Sequence, residues 1–264
     1  MALTSFDPGF VGAAKQYASL VKTTSRVAIA ASWFTTFDLA GNPGAGTLAG
    51  TSTAAGVVPT DATAGCPMID AFGASATGYL MQVDFGSSVA CRMKLFDMVF
   101  KAGAYAFNAN QALAAQPSYA ARMPGGSYGD TMIYIEAVTA FTGNPTFTIT
   151  YTNQAGTAGR TATLAAGLAP TVGRMMIIPL QAGDTGVQKI DNVTCTVATV
   201  GTFNVLVLRP LWSGRCKIAN DGDVHDLSET AQAVLFADSA LILAVAPDST
   251  ATGVPELEFV IANG

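Results

Sequence analysis

The chain has 264 residues, of which 50% are hydrophobic and 12% charged, with 13 Lys and Arg against 18 Asp and Glu and a formal net charge of −5. A soluble domain carries about 25% charged residues, so this surface has roughly half the usual means of staying wet, and the mean hydropathy of +0.38 points the same way. Thirteen cations without a basic run leave phosphate-backbone binding almost no electrostatic support, which argues against a nucleic-acid partner.

A membrane would be one reason for so little charge, but no stretch reaches the ~20 apolar residues of a spanning helix. The best candidate, Ala231 to Pro247, carries Asp238, and Asn192 to Leu208 is studded with Thr, Asn and Gly. The opening Met-Ala-Leu-Thr-Ser-Phe-Asp-Pro has neither a basic nor an apolar segment of the kind that directs secretion. The expectation is therefore no membrane contact and no signal peptide, with the sparse charge explained by burial against other protein.

In chain order, Gly9 to Thr24 places Phe10, Ala13, Ala14, Tyr17, Leu20 and Val21 at helical intervals, which predicts a short amphipathic helix. No Lys or Arg occurs between Val27 and Cys91, and Gly41 to Ser75 is dominated by Gly, Ala, Thr, Ser and Pro. Such a segment cannot build a core of its own. It reads as an extended arm or long loop lying on a protein surface.

From Thr77 the pattern changes to short strands separated by turn residues. Tyr79 to Phe85 and Ala90 to Phe100 come first, the latter alternating Cys91, Met93 and Leu95 with Arg92 and Lys94. Thr146 to Thr152 is the clearest, with Phe147, Ile149 and Tyr151 on one face and four threonines on the other. Gly143-Asn144-Pro145 before it and Asn153 to Gly156 after it predict a meander of Thr131–Phe141, this strand and Arg160–Leu164. Further strands are predicted at Arg174–Leu180, Val187–Ala198, Thr202–Leu208, Gly214–Ile218, Ala233–Phe236, Leu241–Ala246 and Glu256–Ile261. The fold class expected is all-β: an antiparallel, jelly-roll-like β-sandwich over 77–264, preceded over 1–76 by a short N-terminal helix and a long Gly/Ala/Thr-rich arm.

Few motifs carry chemistry. Gly125-Gly126-Ser127-Tyr128-Gly129 matches a nucleophile elbow, with His225 downstream and several Asp between. The elbow needs a strand before the serine and a helix after it, whereas Pro124 precedes and a strand-like Thr131 to Glu136 follows. Gly44-Ala45-Gly46 with Gly50 lacks the βαβ setting of a dinucleotide loop. Asp221, Asp223 and Asp226 surround the only histidine and could gather a cation, but without the ligand order of a calcium loop they read as a solvated turn. Asp97 and Glu136 lie in apolar strands and read as salt-bridge or solvent-facing positions, and Trp33 and Trp212 as core or interface anchors. Cys66, Cys91, Cys195 and Cys216 show no metal-ligand spacing and read as reduced, half-buried small hydrophobes. No catalytic, cofactor or metal residue is therefore assigned, and no enzyme is expected.

Three stretches resemble structural proteins of tailed-bacteriophage virions: Gly143 to Arg160, Gly173 to Gln181, and Asn204 to Trp212. The resemblance is one of texture over about residues 77–218 and brings no catalytic residue with it. It implies a capsid cement or decoration protein that stabilises the head, found in the virion and assembled in the host cytoplasm. The expected partners are copies of the chain itself, as a trimer, and the major capsid protein or other virion proteins. A carbohydrate- or receptor-binding sandwich of a tail or fibre, or a neck or baseplate component, stands as the alternative.

Overall fold

A computed structural model describes residues 13–73 and 77–264. Its centre is a closed antiparallel barrel of six strands. In order around the wall these are β13 (Val200–Cys216), β8 (Met132–Thr142), β11 (Arg174–Ile178), β2 (Trp33–Thr35), β16 (Leu241–Pro247) and β6 (Cys91–Ala106), and β6 pairs back onto β13. A short strand, β4 (Ser52–Val57), adds to the outer edge of β6.

Two further antiparallel sheets cover the barrel. One is built on β5 (Thr77–Ser87), β17 (Pro255–Asn263), β1 (Lys15–Lys22) and β3 (Gly41–Asn42), with β14 (Asp221–His225) and β15 (Val234–Phe236) both pairing with β5. The other runs β10 (Arg160–Ala165), β9 (Thr146–Asn153), β12 (Val187–Thr196) and β7 (Asn110–Ala112). A single helical turn, α1 (Leu227–Thr230), is capped by Asp226, whose carboxylate accepts from Ser228 N.

Side-chain alternation along the barrel strands explains this layering. On β6, Leu95 packs under the β5/β17 sheet, Phe96 and Met98 point into the barrel, and Val99 packs under the β9/β12 sheet. On β13, Leu206 and Leu208 face inwards while Val205 and Val207 face the β9/β12 sheet. Strands apolar on both faces need cover on both sides, and the two flanking sheets supply it.

The all-β, antiparallel expectation holds, but a covered barrel takes the place of two facing sheets. The predicted N-terminal helix is overturned where the structure describes it: Lys15–Lys22 is a strand pairing with β17 and β3, and the start of the predicted helix, 9–12, lies outside the described residues. Its inward positions are Gln16, Ala18, Leu20 and Lys22, a period of two, and the backbone pairing offered by β17 outweighs a weak helical spacing. The predicted meander is half present. β9 and β10 form a hairpin, with the hydroxyls of Thr148 and Thr163 3.3 Å apart, but β8 joins the barrel instead, because Ile133 and Ile135 on one face and Tyr134 on the other are all buried. The two strands predicted across 202–218 are one strand, β13, in which Pro210 sits at a register shift.

The Gly/Ala/Thr-rich segment lies against its own chain. Leu48, Cys66, Ile69 and Phe72 are buried in it. Asn204 Nδ2 donates to Leu48 O (2.6 Å) and Gly50 N donates to Asn204 Oδ1 (2.8 Å). Gly50 is required there: a Cβ would stand 2.9 Å from the Gly103 backbone.

The three layers meet at Asp97, on the outer face of β6 where the strand passes from one flanking sheet to the other. Its carboxylate accepts from Arg209 (3.0 Å), Ser239 Oγ (3.0 Å), Ala240 N (3.1 Å) and Arg122. Arg122 also donates to Pro59 O, and Arg209 to Val234 O at 2.9 Å. Burial lowers both guanidinium pKa values to about 10. One carboxylate thus ties five segments of chain, and removing it strands two buried cations. Asp97→Ala should lower stability by about 3–5 kcal/mol, read as a lower denaturant midpoint; a midpoint within error of the parent would contradict the assignment.

Candidate functional site

The structure does not assemble a triad from the elbow motif. Ser127 follows a 3-10 turn, Pro124–Gly126, and its hydroxyl accepts from Gly129 N at 3.3 Å. His225 stands on β14, where its Nδ1 accepts from Trp212 Nε1 at 2.9 Å and its ring meets Phe85 edge-on. No hydrogen bond described for either residue joins the two.

The aspartates around His225 are likewise divided. Asp221 and Asp223 accept from the neighbouring amides of Gly222 and Val224, and Asp226 caps α1. Among the described residues no three His, Cys, Asp or Glu side chains converge on a point that could hold a metal ion. The stretch read as a solvated turn is an edge strand. All four cysteines are free and buried, and burial pushes the thiols of Cys66, Cys195 and Cys216 up to about 12, which keeps them protonated and inert.

The two ends of the barrel differ. One is plugged by the Gly-rich segment. There Lys101 Nζ donates to Thr47 O at 3.1 Å and lies 4.8 Å from the centre of the Phe37 ring. Beside it Glu136, 2% exposed, accepts from Asn204 Nδ2 at 2.7 Å.

Burial raises the Glu136 pKa, while Lys101 and Asn204 pull it down. A raised folded-state pKa means that the unfolded chain releases its proton first as pH climbs. Stability contributed by protonated Glu136 is therefore full below the ordinary value of about 4.5 and is lost as pH rises through the folded-state value. Glu136→Gln should remove that loss, giving a higher urea midpoint than the parent at pH 8 but not at pH 4. Parallel pH profiles for the two proteins would contradict it.

The other end opens into a cleft of about 630 Å³ whose lining includes Trp33, Arg92, Lys94, Arg215, Lys217, His225 and one carboxylate, Asp223. Arg92 and Lys94 occupy the same alternating positions of β6 as Phe96 and Met98, displaced towards the start of the strand. On the paired strand, Arg215 lies directly opposite Arg92 and Ser213 opposite Lys94. Lys94 Nζ and Arg92 Cζ stand 5.0 and 5.9 Å from the Trp33 ring centre, a cation–π arrangement that anchors both. Burial, and next the Arg92 charge, lowers the Lys94 pKa. Such a mouth attracts anions, and barrel mouths are frequent binding sites. Sequence reasoning placed Arg92 and Lys94 on the polar face of their strand. It missed that Arg215 pairs across from them, because that register joins residues more than a hundred positions apart.

No family model matches the chain, and no curated protein matches it. Among solved structures it is similar to the VP2 subviral particle of infectious bursal disease virus, at 9% identity over 94% of this chain and 79% of that one, with a TM-score of 0.24. The Gx strain of the same virus gives 9% identity over 95% and 80% with a TM-score of 0.17. The T13 particle of that virus gives 9% over 94% and 77%, with 0.19. Scores this low carry no argument about fold or function.

Proposed function

We propose that the chain is a non-enzymatic structural protein of a phage particle, a cement or decoration protein that stabilises the head by packing against copies of itself and against the major capsid protein. It acts as a trimer in the virion, after assembly in the host cytoplasm. The observation that carries this reading is where the few charges go. Lys22, Asp97, Lys101, Arg122, Glu136 and Arg209 are buried, which withdraws six charged side chains from the surface of a chain that is only 12% charged. At the same time Val27, Val197, Ile218, Met68 and Leu168 are each more than half exposed. A surface of this kind is suited to being covered by protein.

The texture of 143–160, 173–181 and 204–212 supports a phage particle as the setting. A carbohydrate-binding role would want free aromatic platforms, but Trp212 is 5% exposed and Trp33 is flanked by Lys94 and Arg92. The purified full chain at micromolar concentration should scatter light with the mass of an oligomer, a trimer. A monodisperse monomer at every concentration would contradict the proposal.

A further inference from the structure

The positive charge of this chain is distributed unevenly. Of 13 Lys and Arg, Lys22, Lys101, Arg122 and Arg209 are buried, and Arg26, Arg160 and Lys189 are ion-paired. Lys15 and Arg174 apart, the rest meet in the barrel mouth. Arg92, Lys94 and Lys217 form no ion pair among the described residues, and Arg215 reaches only an exposed Asp248 at 3.6 Å.

Arg92 and Arg215 face each other across an antiparallel pair. Like charges so placed are destabilising, with Cβ atoms about 5 Å apart. Lys94 adds a third cation two residues along β6, about 7 Å away. Within the chain only the exposed Asp248, paired with Arg215, and Asp223, which lines the cleft, offset this triangle of positive charge.

The outer face of the β5/β17/β1 sheet carries the same triangle with the sign reversed. Glu258 lies directly opposite Asp84, and Glu256 is two residues along β17. All three are exposed, and none forms an ion pair among the described residues. Asp84 and Glu258 line a depression of about 320 Å³. At its rim stands Tyr17, 78% exposed, on the strand that places Ser19 opposite Glu258. An aromatic ring projecting beside an acidic pair suits entry into a cleft lined by guanidinium groups.

We infer that the acidic face of one copy, Asp84, Glu256 and Glu258, docks on the barrel mouth of a second copy at Arg92, Arg215 and Lys94. The inference rests on the self-packing part of the function proposed above and names the two surfaces that meet. Two different patches on one chain make a head-to-tail contact, and such contacts repeat around a ring when the rotation closes. A three-membered ring is the trimer proposed above.

Charge reversal in the full-length chain tests this, with association followed by sedimentation velocity. Association of the parent should weaken more than about tenfold between low salt and about 0.5 M salt. The double variant Arg92→Glu/Arg215→Glu should lose the oligomer, and so should Asp84→Lys/Glu258→Lys. Mixed in equal amounts the two should associate with each other, because each supplies the partner surface that the other needs, but should not close a three-membered ring, which cannot alternate two kinds of subunit. All four positions are exposed, and unchanged thermal melts confirm that the variants fold. The milder Arg215→Gln and Glu258→Gln carry the same test if a reversal does not. Variants that assemble as the parent does would overturn the contact while leaving self-packing intact, whereas a parent that never associates would remove self-packing and the contact with it. Inorganic tripolyphosphate binding that is lost in Arg92→Glu/Arg215→Glu, with assembly unaffected, would make the mouth an anion pocket and likewise overturn the contact.

Discussion

The pairing of β6 with β13 is the constraint on which the rest of the molecule depends. They are the two longest strands, 16 and 17 residues, and their pairing closes the barrel. A closed sheet has no edges to protect. The same two strands also present inner and outer faces, so one ladder contributes to the barrel interior and to both flanking cores. At its midpoint Asp97 pairs with Arg122 and Arg209, and these bring in the Gly-rich segment, the 3-10 turn at Ala120–Arg122 and the turn before β16. Buried ion pairs are poor sources of net stability, because desolvation offsets the attraction. Their contribution here is specific: the two guanidinium groups find their buried partners, Asp97, Pro59 O and Val234 O, only where these segments meet.

The ends of the barrel follow from this closure. At one end small residues let the chain return over the opening, and Asn204 holds it by bonding Leu48 and Gly50. At the other the alternating pattern of β6 and β13 continues beyond the apolar interior, and the inward positions become Arg92, Lys94 and Arg215. A core needs apolar side chains at these positions. A chain that keeps three cations there instead forgoes packing for charge, which is the physical reason to treat the mouth as an interaction surface.

Local signals made the strands legible from sequence, and long-range pairing determined what was not. β9 was readable because Phe147, Ile149 and Tyr151 alternate with threonines and the turns on either side are explicit. β16 was readable as a wholly apolar run, and all its residues are buried. β1 was misread because Tyr17, Leu20 and Val21 fall at helical intervals, whereas the strand turns Ala18 and Leu20 inwards and Tyr17 outwards, and only the edge of β17 decides between them. β14 was hidden by its aspartates, since a five-residue polar strand exists only through its bonds to β5. Closure was not readable at all: no local feature of β6 or β13 says that they pair, and a sandwich and a covered barrel show the same succession of short strands. The candidate site shared this limit, because its like-charge pairs, Arg92 with Arg215 and Asp84 with Glu258, exist only through register.

Native-state hydrogen exchange resolved to single amides tests the primacy of the β6–β13 ladder most directly. Paired amides in Phe96–Ala102 and Phe203–Arg209 should be the slowest in the molecule, exchanging only through global unfolding and sharing its denaturant dependence. The flanking β9/β10 and β14/β5 pairs should open at lower free energy. Exchange of the β6 and β13 amides by local opening, while either flanking sheet stays protected, would contradict the account.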